Sequence, residues 1–182
     1  MATKTWTLID VDAKEHIEAL TVTPLDVEGR ADGYRIEKRT LRGGLQDGVE
    51  IVDIDNGVFR FTVLLSRGMG LLEAERDEVR FGWRSPVVEP VHPSMVPISE
   101  PSGLGWLDGF NEMFVRCGLT SNGAPEFDEN GRLVYPLHGR IANIPARKVE
   151  LSVDGDTGVI SLTGVVRESR LFFHNLELET TY

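Results

Sequence analysis

The feature that most constrains this chain is an alternation of period two. Across residues 58–65, Phe59, Phe61, Val63 and Leu65 fall on one side of an extended chain, and Arg60, Thr62 and Leu64 fall on the other. Successive side chains of a strand point to opposite faces, so this spacing predicts a strand with one strongly buried side. The same pattern recurs over residues 34–40, 49–54, 71–76, 148–153, 159–166 and 171–182. Turn-forming segments rich in Gly and Asp separate these runs, among them Asp53-Ile54-Asp55-Asn56-Gly57 and Asp154-Gly155-Asp156-Thr157-Gly158. Many strands at short spacing predict an all-β sandwich or barrel. One exception stands near the start, where Asp12 and Glu15 have capping-box spacing ahead of Ile17 and Leu20 and predict a short peripheral helix. No solenoid or propeller period and no low-complexity segment interrupts the chain.

Two stretches stand apart from this alternation. From about residue 84 to 105, Pro86, Pro90, Pro93, Pro97 and Pro101 rule out a helix or an interior strand. Trp83, His92, Met95 and Trp106 in and around this stretch argue against a flexible tether and for a loop folded over the end of a sheet. At the other end, the run from Leu171 places Phe172, His174, Leu176 and Leu178 on one face and continues to Tyr182 without a polar tail. That pattern leads to the expectation that the fold continues past the last residue. The 182 residues are read as one domain, or a large part of one.

Hydrophobic residues make up 41% and charged residues 26% of the chain, which points to neither disorder nor a membrane protein. No apolar run approaches the roughly 20 residues needed to cross a bilayer, and residues 1–12 lack the pattern of a secretory signal. A cytoplasmic location is therefore the expectation, with no membrane partner. The formal charge of −10 opposes a nucleic-acid footprint and suits a small, neutral ligand better. Cys117 is the one cysteine, so no internal disulfide can form, and its apolar neighbours predict a core position.

Four segments in order carry a resemblance to a known family. They are Leu64-Leu65-Ser66-Arg67-Gly68-Met69-Gly70, Phe81-Gly82-Trp83-Arg84-Ser85-Pro86, Gly103-Leu104-Gly105-Trp106-Leu107-Asp108-Gly109-Phe110 continuing to Cys117-Gly118-Leu119, and Pro136-Leu137-His138-Gly139-Arg140-Ile141-Ala142-Asn143. Over roughly residues 50 to 180 the chain resembles the N-terminal part of an uncharacterised bacterial aldose 1-epimerase-like family of the galactose mutarotase-like superfamily. The resemblance implies a large antiparallel β-sandwich that binds a monosaccharide or sugar derivative in a cleft across one sheet. It implies that Arg67 and the His138-Gly139-Arg140 segment hold sugar hydroxyls, and that the chemistry interconverts anomers. A carboxylate would take the proton of the C1 hydroxyl while an imidazolium protonates the ring oxygen. In the superfamily that acid His and base Glu lie downstream of the His-Gly segment, so both are expected beyond this chain. No cofactor is expected, and a homo-oligomer is left open. A non-catalytic carbohydrate-binding module, or a metal-dependent sugar isomerase or lyase on the same scaffold, are the alternative readings.

The candidate sugar-binding residues are thus Arg67, His138, Arg140, His92 and Trp106, and each also has a structural reading. Arg67 follows a buried-looking strand, so its guanidinium is expected to emerge at the strand end. His138 precedes Gly139, which permits close approach of a ligand to the backbone. Imidazole can donate to one hydroxyl and accept from another, although a lone His is commonly structural. Arg140 suits either sugar hydroxyls or one of the many carboxylates. His92 gains interest from its place in a loop. Trp83 and Trp106 can stack on a sugar or pack the core, and at least one is expected in the core. His174 is expected on a buried sheet face. Asp108 and Glu112 could form an acid-base pair with His138 only if the fold brings them together. His92, His138, His174 and Glu112 could hold a metal, but no ligand spacing supports it. Arg67, Arg84 and Arg140 supply charge for a phosphate, yet no Gly-rich phosphate loop opens a helix, and neutral sugars or sugar acids are the favoured ligands.

Overall fold

A computed structural model describes residues 3–182. Among the described residues the chain forms β1 (Thr3–Asp10), β2 (Glu15–His16), β3 (Leu20–Val22), β4 (Arg35–Thr40), β5 (Glu50–Asp55), β6 (Arg60–Leu64) and β7 (Gly70–Arg76). They are followed by β8 (Val79–Phe81), β9 (Glu126–Phe127), β10 (Leu133–Tyr135), β11 (Lys148–Asp154), β12 (Ile160–Ser169) and β13 (Asn175–Thr181). One sheet has the order β13-β12-β11-β1-β2 and a second the order β3-β4-β5-β6-β7-β8, with β9 and β10 forming a separate small ribbon. All strand pairs are antiparallel. Leu8, Val149, Leu151, Val153, Leu162 and Val166 from the first sheet share one core with Ile36, Val52, Ile54 and Val63 from the second. Two sheets packed on a common core make an antiparallel β-sandwich. No helix of the described residues is long and apolar enough to cross a membrane.

Strand β6 shows how alternation becomes packing. Val63 faces the shared core, while Leu64 on the opposite face joins Val49 and Ile51 in a second, smaller cluster. The strand is therefore buried on both faces at its C-terminal end, where the single-sided pattern predicted only one. Lys38, only 1% exposed, pairs with Glu50.

The helix expected near residue 12 does not form. Asp10 accepts the N–H groups of Asp12 and Ala13 and so closes a turn between β1 and β2, which form a hairpin. Asp12 binds Arg147 through both carboxylate oxygens, at 2.7 and 3.1 Å, instead of capping a helix.

The C-terminal alternation is also interrupted. Residues 170–174 form the tip of the β12–β13 hairpin, closed by Phe173 N–H donating to Arg170 O at 3.0 Å, and Phe172 has φ 63°. Phe172 is consequently 95% exposed, and His174 lies at the surface instead of on a buried sheet face. The segment between β8 and β9 contains no strand; short 3-10 turns at Pro93–Met95 and Gly105–Gly109 give it its local order.

Candidate functional site

The turn from β6 to β7 sets the site's foundation. Gly68 has φ +61°, and a Cβ there would lie 2.4 Å from Ile141 O, so only glycine fits the close crossing of this turn under residues 141–144. Gly68 N–H donates to Ile144 O at 3.0 Å. Arg67 consequently points inward and is 1% exposed, so its guanidinium does not emerge at the strand end as the sequence pattern suggested. It donates through Nε to Glu112 at 2.7 Å, through one terminal nitrogen to Val91 O at 3.0 Å and Asn143 Oδ1 at 2.8 Å, and through the other to Gly109 O at 2.9 Å.

Those partners belong to the loops that carry the other candidate residues. Val91 precedes His92, Gly109 closes the turn that holds Trp106, and Asn143 follows Arg140 by three residues. Arg67 thus fastens together the loops of the site from beneath. Glu112, with its side chain 0% exposed, is fully engaged by Arg67 and by the N–H of Asn111, which leaves no free carboxylate to act as a base.

The segment 136–140 is held by backbone bonds on several sides. Leu137 N–H donates to Gly103 O, His138 N–H to Gly123 O, and Gly118 N–H to His138 O, each at 2.9 Å. His138 sits at φ 54°, a sparsely populated region that this bonding over-determines. At Gly139 a Cβ would lie 2.3 Å from Gly118 O and 2.5 Å from Ser121 O. The close approach that requires glycine here is therefore made by the protein's own carbonyls.

The His138 ring meets Trp106 edge-on with centroids 4.8 Å apart, and an aromatic row continues through Phe110, 4.6 Å from Trp106, to Trp83, 4.9 Å from Phe110. Trp106 is 4% exposed and packs the interior, whereas Trp83 is 41% exposed. His138 Nδ1 lies 3.3 Å from Asn122 Oδ1, leaving Nε2 without a protein partner among the described residues.

His92 has a different task. Its Nδ1 accepts the Ser94 N–H at 3.2 Å and caps the Pro93–Met95 turn, while its backbone N–H donates to Leu45 O at 2.7 Å. Cys117 is exposed, contrary to the expected core position. Local burial and then the Glu112 charge push its thiol above the usual range, which disfavours the reactive thiolate.

Arg140 opens onto a cavity of about 760 Å³ between segment 133–140 and the β12–β13 hairpin. Tyr135, Glu168, Arg170, Phe173 and His174 share this cavity; the sequence reading named only His174 among them, and the hairpin tip that brings Phe173 and His174 here was read as part of one strand over 171–182. Glu168 accepts the N–H of Leu119 at 2.9 Å and the hydroxyl of Thr120 at 2.9 Å. Arg67, His92 and Trp106 do not line this cavity, and His138 borders it through its neighbours Pro136, Gly139 and Arg140. A smaller cavity of about 380 Å³ lies on the outer face of the six-stranded sheet, where Arg39–Asp53, Arg60–Glu75 and Arg80–Glu73 pairs neutralise one another. Among the described residues no group of three or more His, Cys, Asp or Glu side chains is placed to hold a metal ion.

A family model described as a domain of unknown function, DUF4432, matches residues 46–182. The chain belongs to the DUF4432 family. The matched part of this DUF4432 protein begins just before β5 and contains every candidate residue named above; β1 to β4 precede it. A crystal structure of a putative aldose 1-epimerase from Klebsiella pneumoniae subsp. pneumoniae MGH 78578 is similar at 36% identity and a TM-score of 0.89, over 98% of this chain and 47% of that one. The DUF4432 chain therefore spans about half the length of that relative. No curated protein matches it. The likeness places the sandwich in the galactose mutarotase-like fold class.

Proposed function

We propose that this chain binds a monosaccharide beside segment 136–140 and serves anomer interconversion of the aldose 1-epimerase type. The observation that supports it most is the coincidence of two features. The chain is similar, at 36% identity, to a protein named for that activity, and the cavity of about 760 Å³ opens where the resembling His138-Gly139-Arg140 segment lies. The cavity volume of about 760 Å³ falls within the range of about 300–1,000 Å³ typical of small-molecule sites. Tyr135 and Phe173 supply apolar surface for the flat face of a pyranose, and Arg140 supplies N–H donors for its hydroxyls.

Opening the sugar ring requires a base at the anomeric hydroxyl and an acid at the ring oxygen. In this reading the residues of the chain hold and orient the sugar, Arg67 anchors through Asn143 the turn that follows Arg140, and no catalytic acid or base is assigned among them. The engagement of Glu168 by Leu119 and Thr120 favours, as a second reading, a module that binds sugar without exchanging anomers. Exchange spectroscopy on anomeric protons with the full-length gene product, paired with calorimetric titration of the same sugars against this chain, separates the two. Binding with accelerated exchange supports the epimerase reading, binding without acceleration supports the module, and no binding of any aldose refutes both.

A further inference from the structure

The charges around the larger cavity are unevenly matched. The chain holds 29 acidic residues against 19 Lys and Arg, so a cation has abundant potential partners. Arg167 takes one, donating to Glu177 through Nε at 3.1 Å and a terminal nitrogen at 2.8 Å. Glu168 is likewise occupied by the donors of Leu119 and Thr120. Among the described residues, Arg140 and Arg170 take part in no ion pair. Arg170 lies over the ring of Phe173, 4.4 Å from its centroid, a stacking that fixes the guanidinium plane and leaves its N–H edge available. His174 stands at the same cavity.

Two guanidinium groups without carboxylate partners line one cavity of an acidic protein, and the carboxylate that shares it, Glu168, is already engaged by Leu119 and Thr120. A neutral sugar presents hydroxyls that ask for acceptors as well as donors, whereas a carboxylate or phosphate presents acceptors alone. We propose that the cavity takes a monosaccharide carrying an anionic group, with Arg140 and Arg170 engaging the anion and Tyr135 and Phe173 packing against the sugar. This deepens the sugar-binding reading above and rests on it. The chain's negative charge does not oppose capture at close range, because charges more than about 8 Å away are screened at physiological salt.

The test is calorimetric titration of the full chain with glucose, glucuronate, glucose 6-phosphate and inorganic phosphate, repeated on the Arg140→Gln/Arg170→Gln variant. Arg140 is surface-exposed and Arg170 lies at a hairpin tip, so an unchanged thermal melt is the control for folding. The expected result is that glucuronate or glucose 6-phosphate binds about ten-fold or more tightly than glucose, and that the double variant and added salt each remove the advantage. Which of the two acids binds better distinguishes a carboxylate from a phosphate ligand. Equal affinity for glucose and its acids, or an advantage that survives in the variant, overturns the anion site while leaving the sugar reading in place. Phosphate binding that needs both arginines, with no gain for either sugar derivative, overturns the sugar part alone. No binding of any probe overturns both.

Discussion

Replacing Arg67 with Ala tests the claim that one buried cation organises the site. The substitution removes four hydrogen bonds, to Glu112, Val91, Asn143 and Gly109, and leaves a carboxylate whose side chain is 0% exposed without its cation. Breaking a buried pair by removing one partner costs about 3–5 kcal/mol, because the remaining charge stays desolvated. For a chain of this size each kcal/mol lowers Tm by roughly 2–4 °C, so a drop of about 6–20 °C is expected. The companion Arg67→Met/Glu112→Leu variant removes both charges, and exchanging a buried pair for apolar groups is often far less damaging than breaking it. The double variant is therefore expected to be more stable than Arg67→Ala, with a coupling between positions 67 and 112 of about 2 kcal/mol or more in the cycle completed by Glu112→Leu and Arg67→Met. Urea unfolding followed by tryptophan fluorescence measures all these variants, since Trp83 and Trp106 stand in the loops concerned. An Arg67→Ala cost below about 1 kcal/mol, or strictly additive effects, refutes the reasoning.

Four further outcomes are expected. Gly139→Ala forces a Cβ to within 2.3 Å of Gly118 O at φ +75° and is expected to cost about 2 kcal/mol or more, read as a lowered Tm together with loss of sugar affinity. Several carboxylates lie below their ordinary range: Asp12 through its hydrogen bonds with Arg147, Asp26 through the Thr23 backbone N–H, Asp154 through the Thr157 N–H, and Glu100 through the Ser102 hydroxyl. A lowered folded-state value gives stability that is present above the unfolded value near 4 and is lost as pH falls through the folded value, so Tm is expected to be level above about pH 5 and to fall below about pH 4, less steeply in Asp26→Asn. Tyr182 is held above the usual phenol range by burial, against the opposing effect of Arg116, so the ultraviolet titration difference between the protein and its Tyr182→Phe variant should show Tyr182 ionising later than a free tyrosine; a difference that develops at or below about pH 10 contradicts this. Phe172→Ser, at a position 95% exposed, is expected to change stability by less than about 0.5 kcal/mol in urea unfolding.

Most of the sandwich was legible in its long alternating runs. Strands β4 to β7, β11 and β12 fall on the predicted runs because each buries one face against the facing sheet. β1 was not among the predicted runs although Trp6 and Leu8 alternate with Thr5 and Thr7, and β2 and β3 have only two and three residues, too few for any period to register. The spacing of Asp12 and Glu15 misled because capping residues also suit turns, and Asp10 supplies the turn's acceptor. The site was legible in part. Segment 136–140 was singled out by its resemblance to a family motif, but the burial of Arg67 depends on Glu112, 45 residues away along the chain, and no local pattern encodes that pairing. Arg170 and the surface position of His174 were hidden because a hairpin tip of three apolar residues, Leu171 to Phe173, reads as the start of a strand until its exposure is seen.

Arg67 separates two ideas of what a sugar-site arginine does. A contacting arginine donates to the ligand, so replacing it with Lys weakens binding while leaving the fold nearly unchanged. The arrangement here makes the opposite prediction, because the guanidinium is 1% exposed and is held by Glu112, Val91, Asn143 and Gly109. Lys keeps the charge beside Glu112 but offers three donors on a single nitrogen, which cannot reproduce a planar fork reaching Glu112, Val91, Asn143 and Gly109 at once. Arg67→Lys is therefore expected to lower stability and ligand affinity together, with faster hydrogen exchange in the segments around residues 91, 109 and 143, and cooling is expected to restore part of the affinity by re-closing those loops. Affinity lost with no change in stability or exchange would place the guanidinium on the ligand, and the buried hub would then have to open for binding.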